Sequence, residues 1–160
     1  IPRHYHSLSL LIPDGRVVLM GGQAPFLAWL PGGPTRPDGT AELYSPPYAF
    51  QGVRPDLRIP FIPEVTSVHY NTPFTVNTTS PQAITHACLI APASVTHHFD
   101  YGQRYIELMV QPSGTSSLDV LAPPTAAIAP AVYYMLFIVK HNLINNSRVP
   151  SQGRWVRLDY

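Results

Sequence analysis

Proline is unusually frequent in this chain, and its spacing limits the folds that the chain can adopt. Nineteen of the 160 residues are proline, more than twice the usual frequency of about 5%. They fall between apolar runs, and each proline inside a helix would cost about 3 kcal/mol. No window of about twelve residues shows a helical period. The sequence therefore predicts an all-β fold.

The charge content excludes several classes of partner. Charged residues make up 12% of the chain and the formal net charge is +1, whereas an ordinary soluble domain has about 25% charged residues. Without a basic stripe, nucleic acid and anionic membrane surfaces are poor candidates. No apolar run approaches the ~18 residues that a spanning helix needs, so we expect no membrane span.

The first fifty residues predict a partial all-β domain. Residues 5–12 and 16–20 form a hairpin pattern around Pro13-Asp14-Gly15, and a short strand follows at 40–44. A piece of this size cannot build its own core, so its apolar faces need neighbours that this chain does not contain. Residues 1–50 therefore resemble the tail of a larger domain, such as part of a propeller blade.

Residues 55–160 predict a second domain of evenly spaced strands, which is typical of an immunoglobulin-like β-sandwich. The predicted strands are 64–69, 73–77, 82–90, 105–111, 117–121, 133–141 and 154–158. The apolar run 133–139 is the best candidate for a central strand buried on both faces. Cys88 lies in another apolar run and has no partner cysteine in the chain, which favours a buried structural thiol.

Two histidine segments raise the question of a metal site. Tyr5 and His6 precede the first predicted strand, and on an extended strand their side chains would point to opposite faces. Both could reach one ion only if the backbone bends there or the strand has just begun. His97 and His98 lie on a predicted hairpin tip, where a histidine can reach outward. Spacing alone also fits solvated loop residues, and no nucleophile elbow supports a Ser-His-Asp hydrolase.

Two acceptor patterns for N-glycans favour a secreted or cell-surface protein, Asn77-Thr78-Thr79 and Asn145-Asn146-Ser147. The chain begins without methionine, and we expect a processed product or a fragment. The aromatic residues Phe26 and Trp29 leave open a glycan-binding sandwich, a third hypothesis that rests on those aromatics alone.

Four motifs in order along the chain resemble the galactose oxidase and glyoxal oxidase family of copper radical oxidases. The first is Arg3-x-Tyr5-His6-Ser7, followed by Leu-Leu-x-Pro-Asp-Gly-Arg-Val. The others are Glu-Leu-Tyr-Ser-Pro-Pro-Tyr at 42–48, Ser-Val-Thr-His at 94–97 and Tyr-Tyr-Met-Leu-Phe at 133–137. The resemblance covers nearly the whole chain and is slightly stronger to glyoxal oxidases.

This resemblance implies a fold and a copper site. The fold is the end of a seven-bladed β-propeller, residues 1–50, followed by an immunoglobulin-like (E-set) domain, residues 55–160. One hairpin of that last domain delivers His97 to copper, His6 is the second equatorial ligand, and Tyr5 is the axial ligand and general base. The family's Tyr-Cys radical cofactor belongs to upstream blades outside this chain, and Cys88 does not match it. We therefore expect the chain alone to be inactive.

The implied activity is oxidation of an aldehyde or primary alcohol by O2, with H2O2 as product, in a secreted protein. The partners are then the upstream propeller portion, a small aldehyde or alcohol and O2. A set of polar residues is expected to brace the ligand segments: Arg3, Asp100, Gln103 and Arg104. Four histidines match no ligand position: His4, His69, His86 and His141. Only one of His97 and His98 is expected to bind the metal, and the Thr-His register selects His97. The alternative is a non-catalytic structural or surface module, such as a fibre module, that keeps the oxidase fold.

Overall fold

The computed structural model describes residues 3, 6–22, 39–59, 66–97 and 99–160. In these ranges the regular structure is extended strand, apart from two short 3-10 turns at Pro47–Phe50 and Pro81–Ala83. The strands in chain order are β1 Ser7–Leu11, β2 Val17–Gly21, β3 Ala41–Tyr44, β4 Thr66–His69, β5 Pro73–Asn77, β6 Ile84–Ile90, β7 Val95–Thr96, β8 Phe99–Asp100, β9 Tyr105–Leu108, β10 Val110–Pro112, β11 Ser117–Leu121, β12 Tyr133–Asn142, β13 Ser147–Pro150 and β14 Arg154–Asp159. The all-β prediction is confirmed.

Strands β4 to β14 form a β-sandwich, with β7 and β8 as a separate hairpin. One sheet has the order β4-β14-β12-β6-β9, with β13 also paired to β12, and the other has the order β10-β11-β5. Only the β14–β4 pair of the described strands is parallel. The core between the sheets includes Val76, Leu118 and Val120 from the smaller sheet and Leu89, Leu136 and Ile138 from the larger one. The predicted immunoglobulin-like sandwich is confirmed.

Strand β12 is the central strand that the apolar run predicted. Its alternate residues Leu136 and Ile138 face the core between the sheets. Met135 and Phe137 point to the opposite face, where they form a second cluster with Cys88 and with Leu11 of β1. Cys88 is buried, as predicted. The N-terminal hairpin thus finds an apolar neighbour inside this chain, contrary to the expectation that all its neighbours lie elsewhere.

Residues 105–111, predicted as one strand, are two. β9 pairs with β6 in the larger sheet, and β10 pairs with β11 in the smaller sheet. The chain crosses from one sheet to the other at Met109, which is exposed. An alternating pattern does not reveal such a crossing, because residues on both sides of it keep a period of two. Strand β13 was not predicted, because its four residues directly follow a turn.

The N-terminal hairpin was predicted correctly around its turn. β1 and β2 pair antiparallel with Leu11 opposite Val17, and Gly15 adopts a φ of +83° in the turn between them. β3 joins the free edge of β2. The assignment of these strands to a propeller, and the domain limits 1–50 and 55–160, stay predictions.

A polar junction attaches this hairpin to the sandwich. We define the junction as residues 13–15, Arg54 and residues 150–153. The N–H of Gly153 donates to the carbonyl of Pro13 over 2.6 Å. The guanidinium of Arg54 donates to the carbonyl of Asp14 on one side and to those of Pro150 and Ser151 on the other.

The described part of the chain contains no helix with the length and hydropathy needed to cross a bilayer.

Candidate metal centre

His6 and His97 meet at the contact between the N-terminal hairpin and the β7–β8 hairpin. His6 directly precedes β1, and His97 lies in the turn between β7 and β8. Their Nε2 atoms are 3.4 Å apart although 91 residues separate them in the chain. The two rings are nearly perpendicular, with centroids 4.8 Å apart. Both side chains are exposed, so the two nitrogens meet at the surface of the described structure.

Both histidines have an unusual backbone. His6 has a φ of 66° and His97 a φ of 53°, in the left-handed region that most residues with a β-carbon avoid. The other described non-glycine residues with positive φ are Asn71 and Asn146. The backbone therefore turns at His6 rather than continuing the strand. That turn is the bend required if neighbours such as Tyr5 and His6 are to reach one ion.

The hairpin that carries His97 is held by short polar contacts. Nδ1 of His97 lies 2.7 Å from the hydroxyl of Thr96, a contact that fixes the ring orientation and leaves Nε2 directed at His6. At the base of the hairpin, Oδ1 of Asp100 accepts from the backbone N–H groups of Ser94 and Gly102, each over 2.8 Å. Asp100 thus closes the base of the hairpin that carries His97, and its role in supporting a ligand stays a prediction.

Arg3 holds the segment that carries His6. Its side chain is 7% exposed, and its guanidinium donates to the carbonyl of Gly21, the hydroxyl of Thr40 and the carboxylate of Glu42. The N–H of Gly22 also donates to the carbonyl of His6 over 3.2 Å. Arg3 therefore bonds to the end of β2 and to the start of β3.

The His6–His97 pair fits part of a metal coordination shell. Two nitrogens at about 2.0 Å from one ion are about 2.8 to 4.0 Å apart, depending on the angle between them. The observed Nε2 separation of 3.4 Å falls inside this range. Among the residues that the structure describes, no group of three or more His, Cys, Asp or Glu side chains could hold a metal. The pair would therefore need ligands from outside the described ranges.

Several predicted residues lie elsewhere or outside the described part. Tyr5, His4 and His98 are outside the described residues, and so are Phe26 and Trp29. Gln103 and Arg104 are exposed, and the backbone carbonyl of Arg104 accepts from Ala91.

The histidines that matched no ligand position have contacts of their own. His69 contacts the carbonyl of Tyr160 through Nδ1 over 2.8 Å, and His141 contacts the side chain of Asn146 over 2.7 Å. Nδ1 of His86 lies 3.1 Å from the hydroxyl of Thr85.

Sequence reasoning missed two features. The contact of Thr96 with His97 could have been suspected, because the two residues are adjacent and a hydroxyl can bond to a ring nitrogen. The second is a cavity of about 260 Å³ beneath the N-terminal hairpin, lined by residues that include Cys88, Tyr105, His86 and Arg148. Burial raises the pKa of the Cys88 thiol to about 11 and that of Tyr105 to about 12, so both are neutral near pH 7.

Residues 54–158 match the family described as "Galactose oxidase-like, Early set domain". The match covers more than half of the chain, and the chain belongs to this family.

Individual relatives agree. The chain is 34% identical over 99% of its length to "Aldehyde oxidase GLOX" of Vitis pseudoreticulata and 32% identical over 99% to "Galactose oxidase" of Gibberella zeae. It spans 30% and 22% of the lengths of these relatives. A fungal alcohol oxidase of the AA5 family, solved in complex with copper, superposes on all of this chain and 32% of its own with a TM-score of 0.75 at 26% identity.

Proposed function

We propose that this chain is the C-terminal portion of a secreted copper radical oxidase that oxidises an aldehyde or a primary alcohol with O2 and releases H2O2. The observation that carries the proposal is the meeting of His6 and His97, with their Nε2 atoms 3.4 Å apart. Neither residue is near the other in sequence, and each sits in a strained turn braced by polar contacts. Such strain persists where the surrounding structure enforces it, which is common at functional sites.

The chain's own residues would perform three tasks. His6 and His97 would hold copper through Nε2, because imidazole nitrogens suit Cu(II). Tyr5 would complete the set from this chain and accept the proton of the substrate hydroxyl at its phenolic oxygen. Arg3 and Asp100 would keep the two ligand segments in place. Copper, when bound, supplies a one-electron redox centre and a Lewis acid.

The proposal assigns the rest of the site to an upstream propeller portion. That portion would contribute a Tyr-Cys radical cofactor and most of the substrate pocket. The relatives support this division, since the chain corresponds to 30% or less of the two curated proteins above. A primary alcohol gives two electrons and two protons to O2, which becomes H2O2. An aldehyde gives the same after it adds water to form its hydrate, so the water consumed appears in the acid product.

The test uses the protein with its upstream region. We expect His97→Ala and Tyr5→Phe each to abolish or strongly reduce peroxide production, and His97→Ala also to lose copper. His141→Ala is the matched control, because His141 is bonded to Asn146 and not to the pair. Retained copper and unaltered peroxide production in both variants would end the proposal. Copper binding without a radical or peroxide would favour the non-catalytic module.

Secretion is part of the same proposal. Asn145 lies on an exposed turn between β12 and β13, where an attached glycan would not disturb the hydrogen bonds between strands. Asn77 pairs through its backbone with Arg58 and is half-buried, so we expect Asn145 to be glycosylated more fully. A mass shift on glycosidase treatment that Asn145→Gln removes would support this assignment, whereas an unglycosylated protein from its native source would count against it.

A further inference from the structure

We propose that Arg54 is a positioning residue that sets the separation of His6 and His97 by clamping the N-terminal hairpin onto the sandwich. This inference rests on the proposed function only for the identity of the ion, copper, that the two histidines hold. The position of the hairpin itself is a property of the fold.

The hydrogen bonds of Arg54 reach both the N-terminal hairpin and the sandwich. Its guanidinium donates to the carbonyl of Asp14, in the turn of the hairpin, and to the carbonyls of Pro150 and Ser151, between β13 and β14. One planar group therefore joins segments that are distant in sequence. Only arginine has donors enough, in a rigid fork, to serve three carbonyls in this way.

The junction is partly shielded from water. Burial lowers the pKa of the Arg54 guanidinium and raises that of the Tyr48 phenol beside it. The Tyr48 hydroxyl donates to the carbonyl of Gly15, the next residue in the same turn. The partly buried guanidinium of Arg54 needs its acceptors, because losing them would leave polar groups without hydrogen bonds. The junction is thus specific to one arrangement of hairpin and sandwich.

The length of β1 amplifies any movement at the clamped turn. His6 and the clamped turn lie at opposite ends of β1, about 25 Å apart at about 3.3 Å per residue. A tilt of about 10° at the turn would move His6 by about 4 Å, which exceeds the 3.4 Å that now separates the two Nε2 atoms. His97 would not follow, because its hairpin continues directly from β6 and into β9 of the larger sheet. The N–H of Ala91 donates to the carbonyl of Arg104 across the base of that hairpin. A metal site tolerates displacements of only about 0.5 Å.

Copper binding by the whole protein provides the first test. We expect Arg54→Ala to weaken copper binding at least tenfold and to change the electron paramagnetic resonance spectrum of bound Cu(II). Arg54→Lys should show the same defect, because an ammonium cannot serve three carbonyls in one plane. The matched control is Arg154→Ala, which also loses an arginine–carbonyl bond, Nε to Leu57, but one inside the sandwich. Wild-type affinity and spectrum in Arg54→Ala or Arg54→Lys would overturn the proposal.

A second measurement needs no copper. Spin labels at Ser9→Cys, exposed on β1, and at Tyr101→Cys, 70% exposed beyond β8, report the distance between the two hairpins. We expect one narrow distance distribution in the parent and a broadened or shifted one with Arg54→Lys. An unchanged distribution would overturn the clamp. If the parent binds no copper while the distribution still responds to Arg54, the proposed function fails and the positioning role stands.

Discussion

Gly153 and Pro13 touch backbone to backbone, with the N–H of Gly153 donating to the carbonyl of Pro13 over 2.6 Å. The approach is close because Gly153 has no side chain. A β-carbon there would lie 2.7 Å from Cζ of Phe137 and 3.1 Å from the carbonyl oxygen of Pro13. The contact therefore depends on glycine.

We expect Gly153→Ala to lower the free energy of unfolding by about 1–3 kcal/mol, because the added methyl forces Phe137 or the hairpin to shift. Gly39→Ala is the control, since a β-carbon there meets nothing within 4 Å and should change stability by less than about 0.5 kcal/mol. The measurement is the midpoint and slope of denaturant unfolding. Equal stabilities of the two variants would contradict the packing argument.

Thr96→Val should weaken copper binding about tenfold or more, because outer contacts that orient a ligand histidine commonly carry that much affinity. The change keeps the shape of the side chain and removes the hydroxyl 2.7 Å from Nδ1 of His97. Thr85→Val is the matched control, since it removes a similar contact to His86. Titration with Cu(II) measures both, and equal losses in the two variants would contradict a specific role for Thr96.

Asp100→Ala should loosen the hairpin that carries His97. The change removes the carboxylate that accepts from the backbone N–H groups of Ser94 and Gly102. Each such hydrogen bond to a charged group contributes about 1–3 kcal/mol. Hydrogen exchange at these two amides should accelerate at least tenfold. Asp100→Asn keeps an oxygen acceptor and should exchange more slowly than Asp100→Ala. Unchanged exchange in the alanine variant would show that the hairpin does not rely on Asp100.

Cys88 should make stability fall in alkaline solution. Burial raises its pKa in the folded protein to about 11 from an ordinary 9.0. Between pH 9 and 11 the unfolded chain loses the thiol proton while the folded chain keeps it, so unfolding is favoured by up to about 3 kcal/mol. Below pH 9 both states keep the proton and there is no effect. Cys88→Ala should remove this part of the slope, and parallel curves for the two proteins would refute the assignment.

Much of the fold could be predicted because it follows from local pattern. The run 133–139 is apolar at every position, and only a strand covered on both faces accepts such a run. The alternation in β11 and the turn residues around Gly15 likewise act over a few residues. The crossing at Met109 could not be predicted, because the partner of each half strand is chosen by the sheets and not by neighbouring residues.

The candidate site was predictable only in part, for a similar reason. The resemblance of the Tyr5-His6 and Thr96-His97 segments to known oxidases singled out two histidines, but their distance depends on how two hairpins dock. That docking rests on backbone carbonyls at Asp14, Pro150 and Ser151. Every residue has such a carbonyl, so no sequence pattern marks these three as acceptors. Tyr5 lies outside the described residues, and its role stays a prediction.

The left-handed backbone at His6 and His97 also restricts how this protein can change over evolutionary time. Asparagine, aspartate and glycine accept that conformation readily, whereas valine and isoleucine are strained in it. A lineage that abandons the chemistry should thus drift toward asparagine or glycine at these two positions and away from β-branched residues. The left-handed turns would then persist after the histidines are replaced. An asparagine at position 6 or 97 of a relative would indicate a site that was lost without a change in the backbone.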